Sequence, residues 1–219
     1  MTAKEKTELR KTHILQAAAK VFAEKGFQDG TIPDVAKESG VSEASIYEYF
    51  TNKENLLFSV PLEAIQRLSE QIDFHLKLIR GSADKLRAIL YLQLLFYIEN
   101  RDFAAVIMLI LKQNRRFIDT EAHHAIREHL KTVDRVIQEG METGEFRDDM
   151  DPYLLRSTCL GSMEHVVTNW LMLGHPTDEE LLGWVDPMIK TLVQGIRTEN
   201  ALHQCPFQHI AKPEDLDAL

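Results

Sequence analysis

The sequence predicts an all-α protein. Apolar residues recur at helical spacing through almost the whole chain, and no stretch alternates apolar and polar residues as a half-buried strand would. Helix starts and stops are marked by capping residues, glycines and prolines at workable intervals. With 219 residues the chain can bury a real core in one or two domains.

The first helix runs from about Thr7 to Lys25, with Ile14, Leu15, Ala18, Val21 and Phe22 on one face. It should stop at Gly26, where Phe27 can fold back on Phe22 in the apolar contact that accompanies a glycine cap. The next stretch is the most informative. Thr31 can cap a helix, and Asp34 three residues on completes a capping box. Ala36 is small where two helices must cross, and Gly40 supplies the positive φ needed to leave one helix for the next. Ser42 caps the second helix, while Val41, Ile46 and Phe50 point back into a common core. A small residue, a turn glycine and buried branched residues at these offsets make a helix-turn-helix, the unit that sets a short helix in the major groove of DNA. An ordinary helical hairpin is the plainer reading of the same pattern.

A second turn, Phe50 to Glu54, opens a long amphipathic fourth helix through Leu56, Leu57 and Val60. Pro61 lies inside it, removes a backbone donor, and is expected to bend or divide it. Gly81-Ser82 ends that segment. Further helices are expected near 83–99, 101–114, 119–141, 152–173 and 178–198. Ser82, Asp151 before Pro152, and Thr177 with Glu180 supply starts; Gly140, Gly144 and Gly174 with Pro176 supply breaks. The boundaries predicted are 1–52 for the helix-turn-helix domain, 53–198 for a second helical domain, and 199–219 for a loosely ordered tail.

Net charge is −9. Residues 1–60 carry only −1 of it and hold Lys4, Lys6, Arg10 and Lys11 at their start. The acidic remainder repels DNA and discourages non-specific coating, so specific contacts and pairing of two copies must supply the affinity. Cys159 and Cys205 do not make a disulfide framework. No apolar run spans a bilayer and no signal peptide is visible, so a cytoplasmic protein without membrane association is expected. Catalysis is not indicated: there is no Gly-rich phosphate loop, nucleophile elbow or HExxH, and no cofactor is expected. His123-His124 are adjacent and cannot both face one metal on a helix. His203, Cys205 and His209 have ligand-like spacing beside a proline, which is usually incidental.

The residues from Ile14 to Leu57 resemble the N-terminal domain of TetR-family transcriptional regulators. The resemblance rests on Ala17–Phe27 (AAxxxFAEKGF), Val35–Phe50 (VAKESGVSEASIYEYF), and Asn52-Lys53-Glu54 followed by Leu57. It implies an N-terminal three-helix domain, a helical ligand-binding and dimerisation domain, and a homodimer on palindromic double-stranded DNA. A small molecule would release the DNA. Ala104–Gln113, Gly140–Phe146, Gly161–Glu164 and Thr168–Trp170 look like the FadR-type branch, which senses long-chain fatty acyl-CoA. A drug-sensing regulator with an aromatic or cationic effector, which an acid such as Glu164 would favour, and a helical protein without DNA binding remain as alternatives.

In the resembling family Lys53 falls where a backbone phosphate is held, and Tyr47 and Tyr49 at the groove edge. Either tyrosine can instead be half core. Thr31 either offers its helix start to a phosphate or serves only as a cap. Ser42, Glu43, Ala44 and Ser45 occupy the first turn of the recognition helix; Glu43 can accept from cytosine, and Ala44 can touch a thymine methyl. An effector cavity is expected among Leu94, Leu95, Phe96, Phe103, Val106, Ile107, Ile110, Ile137, Met163, Val167 and Trp170, although most of these also suit plain core. Each buried methylene of a fatty chain contributes roughly 0.8 kcal/mol. Lys112, Arg115 and Arg116, with Arg80 as an outlier, could hold coenzyme A phosphates, or else pair with Asp119 or Glu121. Ligand pressing on the fourth helix and on the helix from Arg101 would tilt the reading heads away from a spacing of about 34 Å. The helices near 152–173 and 178–198 would pair across the dimer as a four-helix bundle.

Overall fold

The computed structural model describes residues 2–196, and every regular element among them is helical. The expected tail, with His203, Cys205 and His209, lies outside the described residues, as does the end of the last expected helix.

Helix α1 (Ala3–Asp29) starts earlier than its apolar stripe suggested, because Thr2 and Glu5 form a capping box. Gly26 kinks it at φ 75°, and one further turn follows to Asp29. Phe27 packs edge-on to Phe22 at 5.8 Å, as the sequence predicted. Helices α2 (Ile32–Ser39) and α3 (Glu43–Tyr47) form the helix-turn-helix, with Gly40 left-handed at φ 65° between them. Ile14, Phe22, Val35, Ile46 and Phe50 are buried together in its core.

Helix α4 (Lys53–Leu76) is capped by Asn52, whose side chain accepts from the Asn55 N–H at 2.8 Å. Pro61 does not divide it: the helix runs unbroken from the helix-turn-helix into the second half of the molecule. There it packs along α7 (Glu121–Glu142) and α5 (Ser82–Glu99), while its first half packs on α1. Helices α8 (Pro152–Leu173), α9 (Asp178–Gly183) and α10 (Val185–Ile196) complete the chain.

Three expectations are corrected. Ser82 does not cap α5. Gly81 holds the cap position at φ 82°, and the Glu145 carboxylate receives the N–H groups of Ser82 at 2.6 Å and Ala83 at 3.1 Å. The helix expected over 101–114 is α6 (Arg101–Ala105) only. It loosens through a π turn (Val106–Ile110) into 3₁₀ turns (Leu111–Gln113 and Arg115–Asp119). Branched side chains crowd this run, and the Asn114 side chain takes the Arg116 N–H at 3.0 Å. The last expected helix breaks at Trp184, because Pro187 has no N–H for the Gly183 carbonyl four residues back and fits only the first turn of a new helix.

Candidate functional site

At the DNA-reading end, Thr31 caps α2 as a full capping box. Its Oγ accepts from the Asp34 N–H at 3.2 Å, and its own N–H donates to Asp34 Oδ2 at 3.0 Å. Lys25 and Thr31 together hold the Asp34 carboxyl down at about 2, so this cap stays charged at ordinary pH. Ser42 caps α3, and Ser42, Glu43 and Ala44 are exposed along its first turn. Ser45 differs from expectation: it is buried, and its hydroxyl faces Ser42 Oγ at 3.1 Å. Tyr47 is exposed, whereas Tyr49 is half-buried against Phe50. Lys53 lies 4.6 Å from the centre of the Phe27 ring and donates to the Gln28 carbonyl at 3.1 Å. These contacts fix the start of α4 to the end of α1, with a cation at the junction.

A cavity of about 350 Å³ opens where α4, α5, α7 and the loosened 106–119 segment meet. Ile65, Ile107, Leu111, Phe117, Ile126 and Leu130 give it apolar walls, and Gln93, Tyr97, His123 and His129 add polar atoms. Lys112, Gln113, Asn114 and Arg115 also line it, and Lys112 pairs with Glu164 of α8. Burial pushes the Tyr97 phenol up to about 12 and the His129 ring below its usual range, so both are neutral near pH 7.

Of the residues predicted to meet a ligand, Ile107, Lys112 and Arg115 line this cavity. Phe96 and Phe103 instead stack edge to face at 5.3 Å in the core, where Val106, Met163 and Val167 are also buried. Trp170 is buried beneath Arg101, whose guanidinium sits 4.2 Å from the ring, and its Nε1 donates to Asp178 at 2.9 Å. Leu95 and Ile110 are half-buried outside the cavity lining, and buried Leu94 and Ile137 lie outside it too. Arg116 pairs with Glu54, not with Asp119 or Glu121. Arg80 is exposed beyond the far end of α4.

Residues 14–60 match the family model for bacterial regulatory proteins of the tetR family, and residues 62–195 match the C-terminal region of YsiA-like proteins. The chain belongs to the TetR family. TetR regulators bind DNA, act as dimers and take small-molecule effectors. FadR of Bacillus halodurans, a fatty acid degradation regulator, is 31% identical, superposes with a TM-score of 0.73, and the match spans 84% of this chain and 98% of that one. FadR of Bacillus subtilis, solved in complex with stearoyl-CoA, is 27% identical with a TM-score of 0.77 and the same coverage of both chains. The fatty acid metabolism regulator protein of Bacillus subtilis aligns at 27% identity over 85% of this chain and 95% of its own length.

Within this TetR-family chain, sequence reasoning missed Gln93, Tyr97, His123 and His129. A signal was available: Gln93 and Tyr97 are four apart on α5, and His123, Ile126 and His129 are three apart on α7, so each set shares a helix face. Among the described residues no His, Cys, Asp and Glu cluster suits a metal, and no helix is long and apolar enough to cross a membrane.

Proposed function

We propose that this protein is a cytoplasmic transcriptional repressor that binds a palindromic operator as a homodimer and leaves it when long-chain fatty acyl-CoA fills the cavity. It acts by binding, not by catalysis. Residues 1–52 form the reading domain, and the chain from Lys53 onward senses and dimerises. The observation that carries the reading is the placing of the cavity. Its walls are α4 and the 106–119 segment, so an occupant pushes on the helix that holds the helix-turn-helix.

Apolar walls suit a fatty chain, and Arg115, exposed at the lining, suits a phosphate. Lys112 and Arg116 are engaged with Glu164 and Glu54, and each would have to exchange that carboxylate for a phosphate to take part. Ser42, Glu43, Ala44 and Tyr47 face outward for groove contacts, with Lys53 swinging from Gln28 to a phosphate and Thr31 acting as a cap. Ser45 is left to position Ser42. The dimer surface is assigned to α8 and the α9–α10 pair, where Tyr153, Leu154, Met172, Leu173 and Trp184 are exposed and apolar.

The test is fluorescence anisotropy on fragments from the protein's own promoter region, with and without palmitoyl-CoA or oleoyl-CoA. Saturable binding that is reversed by the acyl-CoA, but not by coenzyme A alone, is the expected result. DNA binding untouched by either thioester would remove the effector.

A further inference from the structure

The cavity holds buried polar atoms that a fatty chain cannot satisfy. His129 is only 4% exposed and Gln93 5%. His129 Nδ1 lies 3.1 Å from Ser69 Oγ, and that hydroxyl donates its single hydrogen to the Ile65 carbonyl at 2.8 Å. Ser69 is therefore the acceptor of this pair, the proton of the neutral imidazole sits on Nδ1, and Nε2 presents a bare lone pair. Gln93 and the Tyr97 hydroxyl pair at 3.0 Å, a contact that either end of the amide can make. Neither His129 Nε2 nor His123 Nδ1 has a hydrogen-bond partner among the described residues. All four residues line the one cavity.

Water satisfies such acceptors when no ligand is present. A bare alkyl chain that displaces the water leaves them buried and unpaired, which opposes binding. A site built to pair with a polar group also rejects analogues that lack it far more strongly than an apolar pocket discriminates by size. We infer that the effector of this cavity carries a hydrogen-bond donor, a hydroxyl or an amide N–H, that is received by His129 Nε2. This rests on the acyl-effector reading above. The donor has two possible sources: a hydroxyl on the acyl chain, or the amide and hydroxyl groups of a pantetheine arm.

Calorimetric titration of the full-length protein separates them. The ligands are hexadecanoate, 3-hydroxyhexadecanoate, 16-hydroxyhexadecanoate and the coenzyme A thioesters of the first two. The proteins are the parent, His129→Leu, which turns the cavity acceptor into hydrocarbon, and Gln93→Leu, which removes the amide from the same lining. Expected is a preference of roughly tenfold for a donor-bearing ligand in the parent. Both leucine variants should bind hexadecanoate more tightly than the parent, a gain that a damaged fold would not produce, and His129→Leu should also lose that preference.

A hydroxyl preference in the free acids places the donor on the chain. A thioester preference that is indifferent to the hydroxyl and shrinks in His129→Leu places it in the pantetheine arm. Hexadecanoate binding that is unchanged or weaker in both folded variants, with no donor preference in the parent, overturns the inference and leaves the acyl reading standing. Silence from every ligand removes the acyl reading and this inference together.

Discussion

Arg116 reaches from the cavity wall to the start of α4, where its Nη2 lies 2.9 Å from Glu54 Oε2. Beside it, buried Phe117 packs at a tilt against Phe58 of α4 with ring centres 5.7 Å apart. Phe117 and Arg115 line the cavity, and Glu54 adjoins Lys53. A charged contact and an aromatic contact therefore join the segment that walls the cavity to the helix that follows the helix-turn-helix.

Arg116→Ala should separate sensing from stability. The Arg116 side chain is 77% exposed, so the pair contributes only about 0–1 kcal/mol to folding and the thermal midpoint should barely move. Coupling is where the loss belongs, on the order of 0.5–2 kcal/mol. The readout is the acyl-CoA concentration that releases half the bound DNA, which should rise several-fold while affinity without effector is kept. An unaltered release curve would deny the contact any part in the switch.

Lys53→Ala should weaken binding to every DNA sequence by a similar factor and reduce the slope of log affinity against log salt by about 1, the mark of one lost phosphate contact. Replacing exposed Ala44 with a larger residue should change the ranking of operators instead. If Lys53→Ala alters the ranking and leaves the salt slope alone, its place by Phe27 and Gln28 is purely structural.

Much of the reading end was legible because its signals are local. Thr31 with Asp34, Gly40 and Ser42 act within four residues of themselves, so spacing alone located α2 and α3. Pairings across long sequence distances were not legible. Nothing near Ser82 announces that Glu145 will cap α5, or that Glu54 will take Arg116 away from Asp119 and Glu121. The lining of the cavity was not legible for a related reason. Apolar residues such as Phe96, Val167 and Trp170 are equally suited to core and pocket, and packing sent them to the core. Part of its polar lining comes from α5, as Gln93 and Tyr97, and part from α7, where His123 reads first as a metal ligand.

Glu145→Ala should destabilise the protein by about 0.5–2 kcal/mol, since the first two N–H groups of α5 lose their acceptor together with its charge at the helix start. Thermal or urea unfolding measures this. Ser82→Ala, by contrast, should cost little, because the Ser82 side chain makes no cap hydrogen bond. The opposite order of effects would return the cap to Ser82.

Gly140→Ala tests the turn after α7. A Cβ at residue 140 would lie 2.2 Å from Phe146 Cδ2 and 2.6 Å from Cε2, and Phe146 is buried. Its backbone is also tied to this glycine, with the Phe146 N–H donating to the Gly140 carbonyl at 2.8 Å, so the ring has little room to withdraw. The cost of such overpacking is about 1–3 kcal/mol, read as a lower thermal midpoint. Gly140→Ala combined with Phe146→Leu should recover part of it if the ring is the cause.

His129 sets a pH dependence whose sign follows from its burial. Burial lowers its folded-state affinity for a proton below the ordinary 6.5, a trend that the Asp73 carboxylate only partly offsets. Above 6.5 neither the folded nor the unfolded chain protonates this ring, so it contributes no slope. As pH falls through 6.5 the unfolded chain takes up a proton that the folded one refuses, and stability declines until the folded-state value is reached. Urea unfolding of the parent between pH 7.5 and 5 should therefore fall more steeply than that of His129→Leu, with the difference growing downward from about 6.5. Parallel curves would mean that the imidazole is protonated with equal ease in both states, and the bare Nε2 in the cavity would then be lost as well.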